Sequence, residues 1–223
     1  GQFVSRWGTN GSNPGQLNGP SGIVFDPDDN LIISDHRNHR IQRFSKDGKY
    51  INSWGSFGSG ESQLDRPWGI TVDHQGDVYV ADWGNNRIQK FSSSGEFIRS
   101  YGTFGSGQGE FNAPSSVAVD MDGDIYVSDW MNNRVQVLGT DGRFVHTFIG
   151  DATLSKWALE VLKSNHEYAS QRFIAKDPDE ERVFKTPVAV KIDDQGRIFV
   201  VESTVSRIQV YEKLGYPSPV FTA

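Results

Sequence analysis

Short apolar runs, split by Gly, Asp and Asn, set the rhythm of this chain. Four segments align without gaps: Pro20–Phe44, Pro67–Phe91, Pro114–Leu138 and Pro187–Tyr211. Their leading prolines lie 47, 47 and 73 residues apart, so the last interval carries an insertion of 26. Within each unit an apolar run ends in Asp26, Asp73, Asp120 or Asp193 and a turn follows. A second run ends in Asp35, Asp82, Asp129 or Glu202, and a short polar loop leads to Arg40, Arg87, Arg134 or Arg207 and a third run. In the first three units a turn at Gly48, Gly95 or Gly142 precedes a fourth run, such as Tyr50–Trp54. Runs this short, rich in β-branched and aromatic residues, predict antiparallel four-stranded sheets.

One such sheet cannot bury both of its faces, and radial stacking of several solves the problem, so the pattern predicts an all-β fold of propeller type. The innermost strands agree. One alternating set is large (Ile23/Phe25, Ile70/Val72, Val117/Val119, Val190/Ile192), the other mostly small (Gly22/Val24, Gly69/Thr71, Ser116/Ala118). A large face resting on a neighbour's small face packs closely near a crowded axis. Lys191 breaks the small set and is expected to snorkel into the channel or meet an acid.

The strings Asp82-Trp83-Gly84-Asn85-Asn86-Arg87-Ile88-Gln89-Lys90-Phe91 and Asp129-Trp130-Met131-Asn132-Asn133-Arg134-Val135-Gln136 resemble the NHL-repeat signature. Units one and four depart from it, with His36 and His39 in one and Ser203-Thr204-Val205-Ser206 in the other. The resemblance implies a β-propeller, commonly six-bladed, with protein partners and in some relatives RNA. It covers nearly the whole chain outside the insertion, read as one domain over 1–223.

Phe3–Gly8 matches the fourth strand Phe97–Gly102, and Pro217 and Pro219 interrupt the run that would finish the last unit. Proline deletes a ladder donor. The amino-terminal strand is therefore expected to complete the last blade and close a ring of four. The rival arrangement is an arc from a larger propeller, whose exposed sheet faces would drive self-association. Within 151–186, Leu154, Trp157, Ala158, Val161 and Leu162 have the spacing of one helix face, and a second helix is expected over His166–Lys176. This helical insertion is read as a brace or a lid.

Composition narrows the partners. With 22 basic and 28 acidic residues the net charge is −6, which disfavours a nucleic-acid face. No apolar run reaches the length of a membrane helix. Cysteine is absent, so no thiol metal site exists. Asn10-Gly11-Ser12 fits a glycosylation sequon.

His36, Trp83 and Trp130 occupy the loops between second and third strands, and Trp68 follows a link between blades. All four are expected at one mouth of the propeller, where indoles suit a peptide, protein or glycan ligand. Lys191 joins them as a candidate ligand-binding residue. The repeating acid–arginine pairs are read as loop latches, since a group present once per blade serves architecture better than catalysis. Asp120-Met121-Asp122-Gly123-Asp124 alternates carboxylates in a way that could ligate Ca²⁺, but its counterparts read as plain hairpins. No catalytic residue, metal site or cofactor is assigned. The reading is a non-catalytic recognition or scaffolding module. The alternative is a metal-dependent propeller enzyme of lyase or lactonase type, its metal near Lys191 and Asp193.

Overall fold

The computed structural model describes residues 1–150, 164 and 182–213. Blade 1 comprises β1 (Pro20–Phe25), β2 (Leu31–Asp35), β3 (Arg40–Phe44) and β4 (Tyr50–Trp54), antiparallel and adjacent in chain order. A link with a two-residue parallel pair, β5 (Ser56–Phe57) and β6 (Gln63–Leu64), leads to blade 2. That blade holds β7 (Pro67–Val72), β8 (Val78–Asp82), β9 (Arg87–Phe91) and β10 (Phe97–Tyr101). After β11 (Thr103–Phe104) and β12 (Glu110–Phe111) comes blade 3, with β13 (Pro114–Val119), β14 (Ile125–Asp129), β15 (Arg134–Leu138) and β16 (Phe144–Phe148). Blade 4 is a three-stranded sheet of β17 (Pro187–Ile192), β18 (Arg197–Glu202) and β19 (Arg207–Glu212).

The core lies between blades rather than within them. Ile32 and Ile41 of blade 1 meet Ile70, Val78, Val80 and Phe91 of blade 2. Tyr79, Ala81 and Ile88 of blade 2 meet Val117, Ile125, Val127 and Leu138 of blade 3. Ala118, Tyr126, Val135 and Val137 then meet Val190, Ile198 and Val200 of blade 4. Each link plugs the outer end of one interface with a buried apolar residue: Leu64, Phe111 or Phe184. The small inner-strand positions serve close approach, as expected: a Cβ on Gly69 would stand 2.6 Å from the Ser116 Cα of the next blade.

The expected closure of four blades is corrected by the ends of this arc. Gly1–Thr9 forms no strand, and among the described residues β19 gains no fourth strand. Instead Trp7 packs on blade 1, its ring 4.9 Å from that of Phe44 and its edge against Gly48. The three buried clusters join blades 1–2, 2–3 and 3–4, and no such cluster joins blade 4 to blade 1 among the described residues. Ile23 and Phe25 on blade 1 are consequently 58% and 60% exposed, and Ile208 and Val210 on blade 4 are 61% and 51% exposed.

The insertion expected to be helical lies outside the described residues, apart from Ser164 and 182–186. Ser164 has α-helical backbone, and the rest of the two expected helices falls outside the described residues.

Candidate functional site

The loops that carry the candidate residues are shaped by a buried acid at the end of each second strand. Asp82 is fully buried and gathers four donors. Its Oδ1 accepts the Asp65 backbone N–H at 2.7 Å. Its Oδ2 accepts from Asn85, from Arg87 Nε and from Gln89, at 2.9, 2.8 and 3.0 Å. Asp35 repeats all four contacts through Asn18, Asn38, Arg40 and Gln42. Asp129 repeats three, through Asn112, Asn132 and Arg134. The arginine then spends its outer nitrogens on link carbonyls, as Arg87 does on Ser59, Gly60 and Gln63. The recurring acid–arginine pair is a latch between link and strand, as its repetition implied. A fully bonded buried carboxylate avoids the large penalty of an unpaired charge.

The latch forces a single 3₁₀ turn after each acid: His36–Asn38, Trp83–Asn85 and Trp130–Asn132. A residue in left-handed conformation ends each turn, at φ 53° for His39, 56° for Asn86 and 51° for Asn133. Its side chain hooks the following link. Asn86 Oδ1 accepts the Ala113 N–H and Asn133 Oδ1 the Thr186 N–H, both at 2.8 Å, while His39 Nδ1 accepts the Arg66 N–H at 3.1 Å. Latch and hook together fix where each turn and each new inner strand begin.

That geometry brings four of the five candidates into one row. The ring centroids of Trp68 and Trp83 lie 6.3 Å apart, and those of Trp83 and Trp130 6.4 Å apart. His36 meets Trp68 edge-on at 5.0 Å. Trp68 is 42% exposed, the other three are partly buried, and Met131 stands exposed beside Trp130. The Arg66 guanidinium covers the Trp83 ring at 4.5 Å, and Arg37 is exposed on the same turn as His36. Burial lowers the His36 pKa, opposed by its contact with the Pro67 carbonyl and aided by Arg66, so the ring is neutral at neutral pH. The Trp130 indole N–H is buried with no acceptor.

Lys191 is not part of the row. It lies on β17 with Phe199 as its cross-strand neighbour, on the open side of blade 4. It is exposed, and among the described residues no carboxylate is within ion-pair distance of it. Asp193 instead holds Arg197 and the turn N–H groups of Gln195 and Arg197.

One cluster escaped sequence reasoning. Lys213 Nζ lies 2.7, 2.7 and 2.8 Å from Asp120, Asp122 and Asp124. The alternating carboxylates that suggested Ca²⁺ are thus engaged by an ammonium 89 to 93 residues away. The packing of blade 4 on blade 3 brings it there, and no local pattern signals it.

A model of the NHL repeat matches residues 17–44, 64–91 and 111–138. Comparison with curated proteins finds no match. Among solved structures, a streptogramin B lyase is 17% identical with a TM-score of 0.55, covering 92% of this chain and 57% of its own. A chain of a nidogen/laminin complex is 16% identical with a TM-score of 0.54, covering 88% and 65%. Hydrazine synthase of Kuenenia stuttgartiensis is 17% identical with a TM-score of 0.58, covering 88% and 46%. The chain therefore spans between about half and two thirds of these structures, and the likeness is one of fold.

Proposed function

For a chain built of NHL repeats, we propose a recognition module that binds an extended segment of a protein partner along the His36–Trp68–Trp83–Trp130 row. The observation that carries this reading is the row itself: three indoles from two blades in continuous succession on one loop face. Their spacings of 6.3 and 6.4 Å approximate the advance of two residues in an extended chain, about 6.4–6.8 Å. Alternate side chains of such a segment would stand over successive rings. Arg37, exposed on the same turn as His36, favours an acidic residue beside the apolar ones.

The channel-enzyme alternative draws on the fold of the lyase, and fold alone does not carry activity. Among the described residues no three of His, Cys, Asp or Glu are grouped to hold a metal ion, so no observation favours that alternative.

The test is a peptide-display selection against the protein, run beside a glycan array. Trp83→Ala and Trp130→Ala should each weaken a selected peptide at least tenfold with the circular dichroism unchanged. Affinity unaltered in both variants refutes the row as the binding face, and binding confined to glycans refutes the peptide reading.

A further inference from the structure

The two ends of the arc carry complementary halves of one blade. Trp7 rests on Gly48 as Trp54 rests on Gly95 and as Tyr101 rests on Gly142. Each of those partners belongs to the outermost strand of the preceding blade. Phe3–Trp7 therefore sits where a fourth strand would lie, and Asn10 bridges Leu17 in parallel as β5 pairs with β6 in the next link. Beneath it, Ile23 and Phe25 stand exposed, and Leu17 is only half-buried where Leu64 and Phe111 are fully buried. At the other end, blade 4 has three inner strands, and its open face presents Ile208 and Val210 beside Val201 and Phe199, their cross-strand neighbours.

We propose that a second copy of this chain docks head-to-tail on these faces. Phe3–Trp7 of one copy adds to β19 of the other as its fourth strand, and the open face of that blade covers Ile23 and Phe25. The register follows from blade 1, where Ile41 faces Trp54, Gln42 faces Ser53 and Phe44 faces Tyr50. Transferred to the joint, Ile208 faces Trp7, Val210 faces Ser5 and Tyr211 faces Phe3. Lys191 lies on the same face, and its long stem can cover Phe25 while the ammonium stays in the channel.

Each copy offers both a head and a tail, so two copies make two identical joints related by a twofold axis. Two four-blade arcs then close a ring of eight, within the range of about four to eight blades that propellers adopt. Closure removes both exposed apolar faces and both sheet edges. Phe3 and Val4, 78% and 90% exposed, gain neighbours in the same step. Among the described residues Phe3–Trp7 does not pair with β19 of its own chain, so both edges are open to a second copy.

The absence of cysteine gives a clean background for the test. The Ser5→Cys, Val210→Cys double variant, oxidised under native conditions, should run as a covalent dimer, and sedimentation of the unmodified chain should give the dimer mass. Adding Ile208→Lys should abolish the cross-link and return the mass to monomer with the circular dichroism unchanged. A cross-link within one monomer overturns the proposal in favour of self-closure. A monomer that forms no cross-link overturns it outright, and head-to-tail polymers overturn the closed pair.

Discussion

Asn86 of one blade holds Ala113 at the start of the next: its Oδ1 accepts the Ala113 backbone N–H at 2.8 Å across 27 residues. The hook works because Asn86 tolerates a left-handed backbone, at φ 56°, that aims its short amide at the link. Asn133 and Thr186 repeat it at the next blade boundary.

Asn86→Gly should therefore lose about 1 kcal/mol, because the backbone conformation survives while the Ala113 N–H loses its acceptor. Asn86→Ala should lose about 1–2 kcal/mol more through left-handed strain. Urea denaturation of both variants separates the two costs. Equal stabilities would mean that the hook rather than the backbone carries the whole effect.

Asp82→Ala should be far more damaging, by about 3–5 kcal/mol, since it strands the buried Arg87, Gln89 and Asp65 donors at once. A midpoint shift no larger than that of an exposed control such as Asp47→Ala would show that the latch is dispensable.

Blade 4 should respond to acid through Glu202. Burial works to raise its carboxyl pKa, but Arg207, the Lys185 N–H and Gln209 outweigh burial and hold it below the ordinary value. A carboxylate with a depressed folded-state pKa stabilises fully above the unfolded value, about 4.3, and the benefit fades as pH falls through the folded one. The stability difference between the unmodified protein and Glu202→Gln should thus be constant near neutrality and shrink below about pH 4. A difference that is unchanged at pH 3 would contradict the pairing.

Arg66→Ala should uncover the Trp83 ring, which the guanidinium shields at 4.5 Å. The expected result is a red shift of tryptophan emission with a stability loss of only about 0.5–1 kcal/mol. Emission identical to the parent would place Arg66 away from the ring in solution.

The blades were legible in the sequence because a four-stranded sheet is a local object. Its strands follow one another in chain order, and turn residues mark each corner. The latch was legible too, since an acid, an arginine and a glutamine recur at the spacing of Asp82, Arg87 and Gln89 in every unit. The tryptophan row was half legible. Equivalent positions predicted a shared mouth, but the contact of Trp68 with Trp83 depends on how far each blade rotates from the last. Lys191 was legible as a break in the small inner-strand set, but its surroundings depend on whether another blade packs on that face. Lys213 could not be read at all, as its carboxylates lie some ninety residues earlier and meet it only through the packing of blade 4 on blade 3.

By itself, then, the sequence determined the blade, its latch and the loop on which each candidate side chain rides, because those depend on hydrogen bonds and alternation within a few tens of residues. Only the tertiary structure decided that, among the described residues, the four blades form an open arc. The sequence match of Phe3–Gly8 to a fourth strand is equally compatible with closing the last blade and with resting on the first. The choice depends on the angle between successive blades, summed over the interfaces, and no local pattern encodes that sum.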